Sequence, residues 1–253
     1  MEPDLLRKNE EEGGKISPYW AGRLKQEERD GKIKMAIDTE RVLTVELLMG
    51  LLDMPPTPSS RRIVETRLHR LVQLKYVRQI RDGYTTYYVS PLVMKKGNPQ
   101  LEHKHIESYT WIALKRSLPV EHTLTSDVLR KIGGQVIADG ACIVKRHGFC
   151  QEIDTGLDDL GTLEEKGKQY VKYAEHLKET LPGWLGNVDS LQVLFITRRA
   201  GRVPHIVDKL KGIDSEGMFL VTSQEAFRPF DCSILCPIWN SLRDTEKHTL
   251  LED

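Results

Sequence analysis

The first strong hydrophobic pattern of the chain begins after Glu40, where apolar residues recur at helical spacing. They are Val42, Leu43, Leu47, Leu48, Leu51 and Leu52. The segment DMPPTPSS then ends the predicted helix, because proline removes a helical hydrogen bond and clashes with the preceding turn. A second helix is predicted to open at Ser59 or Ser60, since serine is a favoured N-cap residue.

The second predicted helix has an apolar stripe and a basic remainder. The stripe consists of Val64, Leu68, Leu71 and Val72. Four arginines fall largely off it, namely Arg61, Arg62, Arg67 and Arg70. A helix with this pattern packs along one side and turns a cationic face to solvent.

Two β-rich runs follow in the segment YVRQIRDGYTTYYV, separated by Asp82 and Gly83, a pair preferred in tight hairpin turns. Helix, proline-rich turn, basic helix and hairpin in this order predict a winged helix-turn-helix over residues 39–96. The passage LHRLVQLKYVRQIRDGYTTYYVSP resembles the recognition-helix-to-wing passage of many bacterial winged-helix regulators. Residues 1–38, which are rich in charge and broken by glycines and a proline, are expected to form an arm with one short helix.

The pattern changes after the turn-forming segment KKGNPQLE, which is predicted to link a second domain at residues 97–253. The segments HIESYTWIALKRSL, LEEKGKQYVKYAEHLKETL and VPHIVDKLKGI predict helices. The segments QVIADGACIVKR, GFCQEID, LQVLFITRR and MFLVTS predict strands. Their order is α, β, β, α, β, α, β. The expected fold class is therefore α+β, with a central mixed sheet in the second domain.

Charge is balanced over the whole chain, with 37 basic and 37 acidic residues, so any contact with nucleic acid depends on local charge. Residues 59–81 hold seven Lys or Arg but a single Glu. A basic excess on the helix before a hairpin favours phosphate contact, which makes double-stranded DNA the expected partner. The candidate DNA-contacting residues are Ser59, Ser60, Arg61, Arg62, Thr66, Arg67, Arg70 and Arg81.

Four cysteines and the lack of an N-terminal apolar run predict a reduced, cytoplasmic protein. No apolar stretch approaches the roughly 20 residues that cross a bilayer, so no membrane association is expected. The oligomeric state is open, although a palindromic DNA site or a double-strand cut would each favour a homodimer.

Three acidic residues, Asp139, Glu152 and Asp154, are the main candidates for chemistry. Pairing of two predicted strands would bring Asp139 close to the other two, and alternation puts Glu152 and Asp154 on one face of their strand. Three converging carboxylates suit Mg²⁺ or Mn²⁺. Such an ion lowers the pKa of a bound water and stabilises the charge on an attacked phosphate.

The order IADG, QEID, Lys-rich helix and apolar strand resembles the core of the PD-(D/E)XK nuclease superfamily, the fold of type II restriction enzymes. By this resemblance, Asp139 matches the motif aspartate and Glu152 the acid of the D/E-X-K triplet. Asp154 stands where that triplet has a lysine, which is thought to position or activate the attacking water. A helix acid joins the cluster in some members, which makes Glu107 a further candidate. His103 and His105, just ahead of the predicted helix, could also reach the site, although histidines near a linker are more often simply exposed.

A closer resemblance, over residues 40–223, is to the replication-relaxation family of plasmid and mobile-element proteins. That family looks like a winged helix followed by a domain with an aspartate on one strand, Glu-X-Asp on the next, and a helix bearing Lys and Tyr. The segment EEKGKQYVKYAEHL resembles that helix, with Lys166, Tyr170 and Tyr173 at the matching positions. The resemblance implies that Lys166 or Lys168 supplies the cation that the triplet lacks.

The leading expected function is a metal-dependent DNA endonuclease or nickase whose winged helix selects the site. The alternative is a non-catalytic DNA-binding regulator of replication, transfer or transcription, acting with other replication or transfer proteins, since a nuclease fold can persist as a binding scaffold. A third hypothesis is a transcription regulator whose second domain senses a ligand. Its candidate pocket residues are Trp111, Trp184 and Trp239, although core packing explains these tryptophans better.

Overall fold

The structure of the protein is a computed structural model that describes residues 18–91, 100–131, 136, 138–157, 159–180, 188–213, 217–231, 233–243 and 246–250. The chain divides into two compact units, residues 1–97 and residues 98–253. We refer to them as the N-terminal unit and the C-terminal unit. No helix in the described part of the chain combines the length and apolar character needed to cross a membrane.

The N-terminal unit combines helices with a small antiparallel sheet. Its elements are α1 (Pro18–Glu40), β1 (Val42–Leu43), α2 (Val45–Leu51), α3 (Pro58–Gln73), β2 (Arg78–Asp82) and β3 (Thr85–Val89). The strands lie in the order β1-β3-β2. The predicted hairpin is confirmed, since Asp82 pairs with Thr85 across a two-residue turn. Gly83 opens that turn at a φ of 56°, a conformation that glycine adopts without strain.

The prediction of a continuous helix after Glu40 is wrong at its start. Val42 and Leu43 form β1 and pair with Val89 and Tyr88 of β3, because a strand partner is available to them in the folded unit. The following Thr44 caps α2, with its side chain accepting a hydrogen bond from a backbone N–H three residues on.

The start of the basic helix also differs from the prediction. Thr57 is the N-cap of α3, and its hydroxyl accepts a 3.2 Å hydrogen bond from the Ser60 backbone N–H. Pro58 occupies the first turn, where its missing N–H costs nothing. Ser59 and Ser60 consequently lie inside the helix rather than at its cap.

The segment expected to be an arm contains a long helix from Pro18 onward. Helix α1 has 23 residues and fully buries Ile33 and Ile37. It also supplies Asp30, whose carboxylate forms an ion pair with Arg67 of α3. Two isoleucines and one carboxylate are a weak sequence signal, which is why this docked helix escaped prediction.

The C-terminal unit is built on one seven-stranded mixed sheet, so the predicted α+β class with a mixed central sheet is confirmed. Its helices are α4 (Leu101–Ser117), α5 (Ser126–Lys131), α6 (Leu160–Thr180) and α7 (Val203–Leu210). Its strands are β4 (Val120–Thr125), β5 (Gly140–Val144), β6 (His147–Asp154), β7 (Ser190–Thr197), β8 (Phe219–Ser223), β9 (Trp239–Ser241) and β10 (Lys247–His248).

The strands of this sheet lie in the order β10-β9-β8-β7-β6-β5-β4. The central strands β6, β7 and β8 are parallel, and the pairs on either side are antiparallel. Helix α4 packs on one face of the sheet through residues such as Ile106 and Trp111. Helices α6 and α7 pack on the other face through Tyr170 and Ile206. The carboxyl ends of β6 and β7 therefore lie side by side between two helical layers.

Several short elements of this unit escaped prediction. Strand β4 pairs with β5, yet most of its side chains up to Leu124 are exposed or half-buried, so it lacks an apolar alternation. Strands β9 and β10 have three and two residues and form the opposite edge. An edge strand has one paired neighbour only, and its sequence therefore carries little of the burial pattern.

Candidate functional site

The β5–β6 hairpin brings Asp139 beside Glu152. Asp139 directly precedes β5, and its backbone N–H donates a 3.0 Å hydrogen bond to the carbonyl of Gln151. Its carboxylate accepts a 2.8 Å hydrogen bond from the backbone N–H of Ile153. The next residue is Gly140, where a Cβ would stand 2.4 Å from the Trp111 ring. A side chain at that position would push the start of β5 away from α4 and displace the aspartate.

Glu152 lies near the carboxyl end of β6 and is 1% exposed. The ammonium of Lys166 lies 2.6 Å from its Oε2, and the hydroxyl of Tyr170 donates a 2.6 Å hydrogen bond to its Oε1. Residues four apart share one face of a helix, so α6 presents both groups to the same carboxylate. Two partners on one helix hold this buried acid in a defined orientation.

The burial of Glu152 raises its pKa from 4.5 to about 7. Loss of water is the main cause, the charge of Asp139 adds to it, and Lys166 and Tyr170 partly oppose it. The pKa of Tyr170 is raised well above its usual value, mainly by burial and then by the negative charge of Glu152. Glu152 is thus an acid of this site whose charge can change near neutral pH.

Helix α4 reaches the same site through His103. Its Nε2 lies 3.0 Å from Oδ2 of Asp139, and both side chains are largely buried. Glu107, one turn further along α4, is instead engaged by Lys104, with 2.5 Å between the ammonium and the carboxylate. Of the three candidates from the sequence, His103 contacts the aspartate, Glu107 pairs with Lys104, and the His105 ring packs edge-on against Tyr109.

Asp154 has a cationic partner that the expected acidic cluster did not include. It lies on the same face of β6 as Glu152, but Nε of Arg202 lies 2.5 Å from its Oδ2. Its Oδ1 accepts a 3.1 Å hydrogen bond from the backbone N–H of Gly156. Asp154 is therefore ion-paired with Arg202, in the segment before α7. The prediction from sequence did not include this arginine. A basic TRRAGR segment directly after a buried strand was the available signal.

The two candidate lysines of α6 are separated in the same way. Lys166 reaches Glu152, whereas Lys168 pairs with Glu164 at 2.7 Å on the outer side of the helix. Two residues along a helix correspond to about 200° of rotation, so the two lysines cannot face the same way. Of the two predicted lysines, Lys166 is the one that contacts Glu152.

A divalent ion fits part of this arrangement. Within the residues that the structure describes, no group of three or more His, Cys, Asp or Glu side chains is placed to hold a metal ion. The expected trio is thus not assembled, since Asp154 is held by Arg202. Asp139 and Glu152 remain together, and Mg²⁺ is often bound through one or two carboxylates plus substrate phosphates and water. These two hard oxygen donors fit that mode of binding.

The candidate DNA-contacting residues of the N-terminal unit fall into two groups, one exposed and free to contact a ligand and one buried or ion-paired. One stripe of α3 is exposed and consists of Ser59, Arg62, Thr66 and Arg70. Arg81 is exposed on β2, and Tyr84, which the sequence analysis did not consider, is fully exposed at the tip of the hairpin. These side chains are accessible to a large ligand.

Three predicted contacts are less suited to this role. Arg67 is 8% exposed and ion-paired with Asp30, so its side chain is poorly accessible for the predicted DNA contact. Ser60 is buried, and its hydroxyl accepts a hydrogen bond from Thr57. Arg61 is exposed but lies between two carboxylates, those of Glu46 and Glu65, which offset its charge.

The predicted tryptophan pocket is not formed by the described tryptophans. Trp111 and Trp239 are buried in the core under α4, and the Trp239 indole N–H donates a hydrogen bond to the backbone carbonyl of Ile234. Trp184 lies outside the described residues.

Comparison with models of known protein families and with curated proteins finds no match to this chain. The resemblance to the replication-relaxation family accordingly stays a prediction.

Proposed function

We propose that the protein binds double-stranded DNA through its N-terminal unit and hydrolyses a phosphodiester bond at Asp139, Glu152 and Lys166 of its C-terminal unit. The observation that carries the proposal is the environment of Glu152. This carboxyl group is buried, has a pKa of about 7, and lies beside a second carboxylate and a lysine ammonium. Perturbed acids in such surroundings are a frequent mark of catalytic sites.

DNA binding is supported by the exposed stripe of α3 and by the hairpin that follows. A winged helix-turn-helix places its second helix in the major groove and its hairpin against the backbone. Arg62 and Arg70 would contact phosphates or base edges from α3, and Arg81 would contact the backbone from the hairpin. We infer that α2, α3 and the β2–β3 hairpin act as such a module.

Cleavage is supported by the order of elements around the acids. A helix, an antiparallel hairpin with both acids, a lysine-bearing helix and a parallel strand follow one another as in the nuclease core that the sequence resembles. Glu152 in its ionised form and Asp139 would hold Mg²⁺ or Mn²⁺. Lys166 would orient the water or the phosphate, as the lysine of the D/E-X-K triplet is thought to do. The bound ion would supply a more acidic water and would stabilise charge on the phosphate.

The test is the conversion of supercoiled plasmid to nicked or linear DNA in the presence of Mg²⁺ or Mn²⁺. Wild-type protein is expected to cleave, and Glu152→Gln is expected to abolish cleavage while retaining DNA binding. The matched control is Glu165→Gln, which makes the same change at an exposed position of the neighbouring helix α6. Cleavage by the Glu152→Gln variant at the wild-type rate would contradict the proposed site.

A second candidate function is favoured by the two ion pairs of the C-terminal unit. Both Glu152 and Asp154 already have a cationic partner, in Lys166 and Arg202 respectively. Such a neutralised network is also what a binding scaffold without catalysis would keep. A regulator of this kind would shift DNA in a gel with and without metal, and would leave the plasmid intact under every condition of the cleavage test.

A further inference from the structure

A cavity of about 490 Å³ lies at the carboxyl ends of β6 and β7. Its walls come from the loop after β6, the end of β7 and the segment that leads into α7, with Glu102 of α4 among the lining residues. We call it the arginine cavity. The residues that matter for the inference are Thr197, Arg198, Arg199, Arg202 and His205.

Two of the three arginines are oriented by carboxylates. Nη1 of Arg198 lies 2.6 Å from Oε1 of Glu102, and Nε of Arg202 lies 2.5 Å from Oδ2 of Asp154. A guanidinium has five N–H donors in a rigid plane, so a single carboxylate contact leaves most donors of Arg198 available. These ion pairs fix the positions of the Arg198 and Arg202 guanidinium groups beside the cavity and leave its volume open to a ligand.

Arg199 gives the cavity a surplus of positive charge. It is exposed, and its guanidinium group makes no hydrogen bond or ion pair with any residue that the structure describes. Among the described residues that line the cavity, three arginines face one carboxylate, Glu102. Asp154 and Glu225 lie outside the lining, where they bind Arg202 and the backbone N–H of Ala200. Helix α7 begins at Val203, so the positive end of its dipole lies at the same place. The excess charge favours an anionic ligand.

Thr197 provides independent evidence for a missing polar partner. It is 0% exposed, and its hydroxyl has no hydrogen-bond partner among the described residues. A buried hydroxyl without a partner is unfavourable, and a bound ligand oxygen is one way to satisfy it. Thr197 is opposite Asp154 in the parallel pair of β6 and β7, as Phe195 is opposite Glu152. The hydroxyl therefore lies on the same face as Glu152, about 7 Å further along the strands.

We propose that the arginine cavity binds a phosphate group, with Arg199 and the Thr197 hydroxyl as its direct contacts and Arg198 and Arg202 as oriented supporting charges. Guanidinium groups match phosphate oxygens in geometry and charge. This step rests on the proposed function in one respect. If the phosphate belongs to a DNA strand, the cavity anchors that strand next to Glu152.

The experiment is a titration of the full-length protein with d(TpT), which carries one phosphodiester, and separately with dTMP, which carries a free terminal phosphate. Binding is followed by the NMR shifts of the Thr197 and Arg199 amides, so that binding elsewhere is not counted. The variants are Arg199→Gln and Thr197→Val. Arg146→Gln is the charge-matched control, because Arg146 is exposed just ahead of β6, at the opposite end of the strand.

We expect each of the two cavity variants to weaken binding about tenfold, and the control to leave it unchanged. Thr197→Val should at the same time keep or raise the melting temperature, which separates a ligand contact from a structural role. Binding of d(TpT) identifies the DNA backbone as the source of the phosphate, and binding of dTMP alone identifies a free nucleotide. Absence of shifts at both amides, or equal binding by all variants, overturns the proposal even if plasmid cleavage is observed. Binding at the cavity without plasmid cleavage supports the proposed phosphate site and contradicts the proposed nuclease activity.

Discussion

At the scale of single residues, the chemistry of this protein centres on Glu152. A carboxyl group that is 1% exposed and lies beside Asp139 would remain protonated well above its usual range without compensation. Lys166 and Tyr170 supply that compensation from one face of α6. The outcome is an acid whose pKa of about 7 allows both protonation states under ordinary conditions.

The raised pKa of Glu152 makes stability depend on pH. Between pH 4.5 and about pH 7 the folded protein holds a proton that the unfolded chain has released, so rising pH destabilises the fold. Relative to Glu152→Gln, the wild type should lose about 3 kcal/mol of unfolding free energy from pH 4 to pH 8. Urea unfolding at several pH values measures this difference. Parallel curves for the two proteins would contradict the assignment, and Glu165→Gln should follow the wild type.

Substitutions of Lys166 and Lys168 provide a matched pair of variants that tests the ion pair at Glu152. Lys166→Gln should lower the unfolding free energy at pH 8 by about 1 to 3 kcal/mol, because it leaves a buried carboxylate without its cation. At pH 5, where Glu152 is protonated, the loss should nearly vanish. Lys168→Gln should have little effect on the unfolding free energy at either pH, since the Lys168 ammonium is exposed and solvent weakens its pair with Glu164. Chemical unfolding at both pH values tests the pair, and equal losses for the two variants would refute it.

At the scale of elements, helix α3 is divided between packing and exposure. Its buried side packs through Val64, Leu68 and Leu71, and Arg67 joins this side by pairing with α1. The opposite stripe, with Arg62 and Arg70, stays accessible. Arg67 thus stabilises the packing of this helix, whereas Arg62 and Arg70 stay exposed on its other side.

The exposed stripe predicts how salt affects DNA binding. Each phosphate contact releases counterions, so replacing both Arg62 and Arg70 by Gln should reduce the slope of log K against log salt by about 2. Fluorescence anisotropy of a labelled duplex over a series of salt concentrations measures that slope. The control is a double Gln variant at Lys32 and Lys34 of α1, which removes the same charge from exposed positions. An equal change in the control would mean that overall charge, and not α3, governs binding.

At the scale of the whole molecule, the chain consists of two compact units with separate cores. Leu68 is buried among the helices of the N-terminal unit, and Phe195 lies in the core between the large sheet and helices α6 and α7. Because each unit has buried apolar residues of its own, we expect each to fold cooperatively in its own right. The proposed division of labour, with binding in one unit and chemistry in the other, requires such independence.

Hydrogen exchange can test that independence. Leu68→Ala should lose about 2 to 5 kcal/mol and speed amide exchange in α3 and β3, with no change in β6 and β7. Phe195→Ala should produce the reverse pattern. Faster exchange in both units after either single substitution would show that they unfold together.

The sequence by itself determined the elements that carry a strong periodic pattern. Helices α3, α4 and α6, the turn at Gly83 and the apolar strand β7 follow from the spacing of their own residues. The placement of Asp139 next to Glu152 also follows, because two adjacent strands joined by a short turn leave little choice of partner.

Only the tertiary structure decided the remaining features, since they depend on residues far apart in the chain. The conversion of Val42 and Leu43 into a strand needed β3, and the burial of Arg67 needed Asp30 on a helix that local pattern did not reveal. Asp154 left the expected acidic trio because Arg202, 48 residues away, competes for its carboxylate. The partner of a charged side chain is the opposite charge nearest to it in three dimensions, and sequence spacing does not encode that neighbour.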